Sequence, residues 1–222
     1  MVNDQQFNVA EQWINSQLHF YRKNNLVYAA TLKCACTFYQ DVLGRHNQWE
    51  KIKFNNIDWN VDHVFGFITE PLTRYLKGLV EDLLGGVLVM PDNIETLFQP
   101  GSMVLSFHSL PISQLYKKYM YQIDWIPLDT DVPSEILVEK LFQHYNLTVS
   151  WPNNSDRNIS TKGKVDLFNK VKNHIGLGNN VYYRVLSTDI DFYNLVRSRF
   201  NTHENSWDKI SWLTQPTNIL LK

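Results

Sequence analysis

Lys33 and Thr37 bracket the segment Lys33-Cys34-Ala35-Cys36-Thr37, which joins the apolar run Leu26–Ala30 to a helical pattern over 37–43. An ammonium, a hydroxyl and the free N–H groups of a helix start are the donors that hold a phosphate or a sulfate. The same residues also suit an exposed lysine and a capping threonine. The Walker pattern G-x-x-x-x-G-K-[ST] is absent, because neither glycine is there. A second cationic stretch, 151–174, carries Arg157, Lys162, Lys164, Lys170 and Lys172 against Asp156 and Asp166. Within it Ser155, Arg157, Lys162, Gly163 and Lys164 mix a hydroxyl, cations and a glycine, chemistry that can wrap a phosphate. A solvated surface loop has the same composition. None of the seven histidines sits at a metal-binding spacing such as His-x-x-x-His. His108 follows an apolar stretch and precedes Pro111, and a neutral imidazole there can take a proton from a hydroxyl. Asp129, Glu70 and Asp62 compete for that role.

These groups need elements to position them. Phe7, Ala10, Trp13, Ile14, Leu18 and Tyr21 recur at helical spacing and predict an amphipathic helix over 5–23. Strands are predicted at 26–30, 64–69 and 123–128. Glu70-Pro71 opens a helix through 72–84, and Gly85-Gly86 ends it. Further helices are predicted at 91–99, 133–145, 165–174 and 188–200, the last after the cap candidates Ser187 and Thr188. Residues 102–107 are apolar, and 146–164 read as a polar loop. The alternation predicts an α/β layered fold with a small parallel sheet. Trp151, beside the basic stretch, is a candidate to stack on an adenine, and Trp207 and Trp212 to line a sugar site; all three suit a core equally well.

The chain has 222 residues and a net charge of −1. One domain is ordinary at this length, and no repeat or linker divides it. A balanced charge excludes a protein that coats nucleic acid or an anionic membrane, but allows a local basic pocket. Hydrophobic residues make up 44%, too many for a disordered chain. Cys34 and Cys36 stand too close in sequence for an unstrained disulfide and are too few for a structural zinc site. No run of 18 apolar residues and no signal-peptide pattern is present, so a reduced, cytoplasmic setting is expected.

Leu26–Val42, LVYAATLKCACTFYQDV, resembles the strand–loop–helix of the PAPS-dependent sulfotransferases, which use 3′-phosphoadenosine-5′-phosphosulfate. Its Lys-x-Ala-Cys-Thr core is most similar to the carbohydrate O-sulfotransferases. Glu70, Pro71, Arg74 and Gly78 match the family pattern Asp/Glu-Pro-x-x-Arg-x-x-Ser-Gly, and His108–Leu115 is similar to the family's next segment. The resemblance implies a P-loop-like three-layer fold, with a small central parallel sheet flanked by helices, forming one domain over 1–222. It implies PAPS as sulfuryl donor, no metal, and a glycan or small-molecule acceptor, in a bacterial or viral soluble enzyme. Nucleic acid is not an expected partner. It assigns Lys33, Cys34, Ala35, Cys36 and Thr37 to the 5′-phosphate end, Arg74 to the cofactor site, and the 155–164 stretch to its closing loop. Lys33 and His108 become the catalytic pair, with His108 as base. Two positions depart from the family. Thr69 stands where an arginine contacts the 3′-phosphate, and Lys77 where a serine does. Lys77 lies about two helical turns beyond Thr69 and can restore the charge. The alternative is a nucleotide- or glycan-binding protein of this fold that has altered or lost activity. A P-loop phosphotransferase is disfavoured by the missing glycines and the lack of an evident Mg²⁺-binding carboxylate pair.

Overall fold

The computed structural model describes residues 18–93, 96, 106, 108–152, 162–175 and 180–201. Its frame is an open five-stranded sheet of order β3-β1-β2-β4-β5. β1 (Phe20–Lys23) and β2 (Leu26–Ala29) form an antiparallel hairpin, and β3 (Glu50–Ile52) adds to the outer side of β1, also antiparallel. β4 (His63–Ile68) and β5 (Asp124–Pro127) follow β2 in parallel. The sheet is therefore mixed, with a parallel half and an antiparallel half, where a purely parallel one was expected.

Residues 20–23 are a strand, although the spacing predicts that they end a helix. The turn explains the difference. Lys23 pairs with Leu26 across Asn24-Asn25, and Asn24 takes the left-handed conformation (φ 54°) that a two-residue hairpin loop needs. Phe20 is then buried with Val27 and Ala29. Cross-strand packing overrides a helical spacing whose earlier residues, 5–17, lie outside the described residues.

Alternation along the strands sorts two cores. Val27, Ala29, Val64, Ile68 and Trp125 face one side, together with Leu115, Tyr116, Phe192 and Val196. Leu26, Tyr28, Phe65, Phe67 and Ile126 face the other, with Tyr39, Leu43, Leu137, Leu141 and Phe142. The first face is covered by α3 (Ile112–Tyr116), its continuing 3₁₀ turn (Lys117–Tyr121) and α6 (Asn180–Asn201). The second is covered by α1 (Cys36–Gln40), the wider π-helical turn Asp41–His46 and α4 (Ser134–His144). Helices thus lie on both faces of the sheet. Trp125 is fully buried, and its indole N–H donates to the Met120 carbonyl at 2.7 Å. Gly66 makes room for that ring, since a Cβ there would stand 3.0 Å from it.

α2 (Pro71–Leu84) begins where the sequence places it. Glu70 caps it, accepting from the N–H groups of Leu72 (3.0 Å) and Thr73 (2.7 Å), with Pro71 in the first turn. α2 packs through Tyr75, Leu76, Leu79 and Leu83 onto Val171 of α5 (Lys162–Ile175) and Leu186 of α6. Asp189 of α6 accepts from the N–H groups of Ile112 (2.5 Å) and Ser113 (2.9 Å), fixing the start of α3. α5 and α6 both start earlier than the sequence patterns suggest, so Lys162, Gly163 and Lys164 form a helical turn and not a loop. The predicted helix at 91–99 and the apolar segment 102–107 fall mostly outside the described residues. Among the described residues no helix is long and apolar enough to cross a membrane.

Candidate functional site

The chain leaves β2, β4 and β5 at their shared carboxyl edge, and the three loops that follow line one cleft of about 630 Å³. Lys33 and Ala35 come from the loop after β2, Thr69 follows β4, and Leu128 and Asp129 follow β5. α2 adds Lys77 and Val80, and α5 adds Lys164, Val165 and Phe168. Ligands of open α/β sheets sit at this edge, and the volume suits a small molecule. Three ammonium groups and a hydroxyl stand beside an apolar wall of Val80, Leu128, Val165 and Phe168.

The loop after β2 turns without glycine. Lys33 (φ 64°) and Ala35 (φ 55°) both take left-handed backbone, at about 1–2 kcal/mol each. The surroundings hold it there. The Cys34 N–H donates to the Thr31 carbonyl at 3.1 Å, and the buried Arg74 guanidinium reaches the Leu32 carbonyl at 3.5 Å. Arg74 therefore braces the loop from behind and does not line the cleft. The Cys34 side chain is fully buried, and burial pushes its thiol up to about 12 against the pull of Arg74. It remains a protonated packing group. Cys36 is buried too, while Thr37 is exposed on α1 and is not part of the cleft lining.

Glu81 organises the cations. Its Oε2 accepts from Lys33 Nζ at 3.1 Å and from Lys164 Nζ. Its carboxyl lies below the usual carboxylate range, chiefly through the Lys164 hydrogen bond and then Lys33, and stays ionised. Lys77 is exposed on the same helix and carries no ion pair among the described residues. Asp129 is the only carboxylate lining the cleft among the described residues. Its Oδ2 accepts from the Tyr193 hydroxyl, and Arg197 Nη1 stands 3.9 Å away. Burial and this carboxylate push the Tyr193 phenol well up, so it stays a donor.

His108 sits elsewhere. Its Nδ1 donates to Asp82 Oδ1 at 2.5 Å, and Asp82, itself buried, also accepts from Ser106. Asp82 is five residues past Lys77, about 140° around α2, so this pair occupies a different helix face from the cleft. Of the other competing acids, Glu70 is spent as a helix cap, and Asp62 pairs with Arg22 and accepts from the Asp58 N–H at 2.8 Å. Lys162 and Gly163 are exposed on α5 away from the lining, and Ser155 and Arg157 lie outside the described residues, as do Trp207 and Trp212. Trp151 does not stand free for an adenine: it stacks on Phe38 (6.3 Å, 6°) and donates to Glu139 at 2.6 Å.

Of the residues singled out in sequence, the fold thus brings Lys33, Ala35, Thr69, Lys77, Asp129 and Lys164 together. Glu81, Tyr193 and Arg197 were not singled out. The spacing Lys77–Glu81 and Tyr193–Arg197, four residues each, was the only local signal, and it says nothing about the partners across the fold. Among the described residues no three His, Cys, Asp or Glu side chains gather as a metal site. The arrangement defines an α/β protein with a cationic, partly apolar cleft at the carboxyl edge of its sheet. No known protein-family model matches the chain, and neither a curated protein nor a solved structure does.

Proposed function

We propose that the cleft binds PAPS and that the protein moves a sulfuryl group from it to an acceptor hydroxyl, with a carbohydrate as the acceptor class. One observation carries this reading: Lys33, Lys77, Lys164 and Thr69 converge beside an apolar wall at the ends of three parallel strands. The residues fit the group, since three cations oppose its anionic oxygens and Val165 and Phe168 offer a surface for a base. PAPS supplies a sulfuryl group joined to a phosphate leaving group. Lys33 and Lys164 would neutralise the charge that builds on that phosphate, and Lys77 would hold the 3′-phosphate in place of the family's arginine. Thr69 would add a neutral hydrogen bond. Asp129, facing the cleft, would take the proton from the acceptor hydroxyl. Thr69 at the family's arginine position also favours the second reading, a protein that binds such a nucleotide or glycan without turning it over.

Calorimetry with adenosine 3′,5′-bisphosphate tests the binding, and label transfer from ³⁵S-PAPS to a panel of sugars, lipids and alcohols separates the two readings. Binding with transfer is expected. Binding without transfer leaves the second reading, and no binding overturns both. Lys77→Ala is expected to weaken the bisphosphate by about 10- to 100-fold, the worth of a charge-assisted hydrogen bond. The 3′-dephospho nucleotide should change little, and equal losses for both ligands would remove Lys77 from the 3′-phosphate.

A further inference from the structure

Glu81 stands where a ligand's anion belongs. Its carboxylate bridges Lys33, on the loop after β2, and Lys164, on the first turns of α5, and both lysines line the cleft. The Lys33 side chain is only 18% exposed and Glu81 37%, so the contact is partly sheltered from solvent beside the cleft. We propose that Glu81 is a resident counter-ion that an incoming ligand must displace, and that it restricts the site to ligands bearing at least two anionic groups. The inference deepens the reading of the cleft as an anion site and rests on it.

The charge count explains the restriction. A single anionic group that took the place of Glu81, even a doubly charged sulfate, would gain at most one charge on the same two ammonium groups. It would also leave the carboxylate beside it without a partner, so little is gained. A ligand with two anionic groups brings a surplus. One group bridges Lys33 and Lys164, and the other meets Lys77, one helical turn before Glu81 on the same face of α2. The bridging group also replaces the tie that Glu81 makes between α2, α5 and the loop after β2, so the ligand restores what it breaks. A lysine pair with no internal carboxylate would bind sulfate or phosphate from the surroundings without discrimination.

Inorganic pyrophosphate and inorganic sulfate are the probes, with calorimetry on the native chain and on Glu81→Gln. The native protein should bind pyrophosphate at least about 10-fold tighter than sulfate. In Glu81→Gln both affinities should rise, sulfate more than pyrophosphate, by about 10-fold or more, so that the preference shrinks. Unchanged or weaker binding in the variant overturns the counter-ion role, and so does failure of both proteins to bind pyrophosphate. The native preference is measured without any variant, so it stands as a test if Glu81→Gln does not fold; equal affinities for the two anions overturn the proposal. Adenosine 3′,5′-bisphosphate separates this from the nucleotide reading. If it fails to bind while pyrophosphate tightens in the variant, the nucleotide reading falls and Glu81 keeps its role. If it binds both proteins equally, the nucleotide reading stands and the counter-ion role falls.

Discussion

On the proposed sulfotransferase reading, Asp129→Asn is expected to slow sulfuryl transfer by about 100-fold or more, the usual worth of a positioned general base. Binding of adenosine 3′,5′-bisphosphate should stay as tight as in the native chain or become tighter, because the change removes a negative charge from an anion cleft. The prediction follows from where the acids stand. Asp129 leaves the end of β5 into the cleft, and the Tyr193 hydroxyl and Arg197 hold its carboxylate from the α6 side. One oxygen is thereby engaged and the ring of donors fixes the group's orientation, as a second residue does for a catalytic base. His108→Gln is the companion measurement. His108 faces Asp82 and does not line the cleft, so its variant should transfer label at close to the native rate. A collapse in His108→Gln together with a native rate in Asp129→Asn would hand the base role back to the histidine.

What the sequence discloses here is what short-range pattern can carry. The buried run Leu26–Ala29 and the stretch Val64–Ile68 are continuous segments without charged side chains, and Glu70-Pro71 is a local capping signal, so β2, β4 and α2 were legible. β3 was not. Of Glu50, Lys51 and Ile52 only the last is buried, and three residues with two charges show no period. β1 was hidden by an overlapping helical spacing, and only the Asn24-Asn25 turn betrays it. Lys33 could be read because it follows a strand and Lys164 because it lies in a basic stretch, where ligand-binding groups concentrate, whereas Lys77, in the middle of α2, was picked out only by the family pattern. Their order in the chain does not reveal which helix face they share. That is why His108, in the expected order, lies on the far side of α2 from Lys77, and why the bridge from Glu81 to Lys33 and Lys164 had no signature. An ion pair between distant segments is a product of the packing, and a sequence of near-neutral charge shows only that the partners exist.

Gly78→Ala is expected to destabilise the fold by about 3 kcal/mol or more, at the upper end of what overpacking costs. On an isolated helix the same change would be favourable by about 1 kcal/mol, because alanine is the better helix former. Tertiary packing reverses the sign. A Cβ at residue 78 would stand 2.2 Å from the His108 carbonyl oxygen, 2.5 Å from its carbon and 2.8 Å from the Ser109 nitrogen. These are backbone atoms, so no rotamer change relieves the clash, and α2 must part from the chain at 108–109. Parting them pulls His108 and Ser106 off the buried Asp82 carboxylate, which would be left without its two donors at 1% exposure. The glycine matched in the sequence by family pattern therefore has a physical reason in this chain: it lets a backbone segment lie directly on the helix that carries Lys77 and Glu81. Gly163→Ala is the control. Nothing lies within 4 Å of a Cβ there, and the residue is exposed in the first turn of α5. It should be neutral or stabilising by up to about 1 kcal/mol. Urea denaturation of the two variants reads the contrast directly. A Gly78→Ala protein as stable as the native chain would mean that the 108–109 backbone does not rest on α2, and the separation of the Asp82–His108 pair from the cleft would lose its basis.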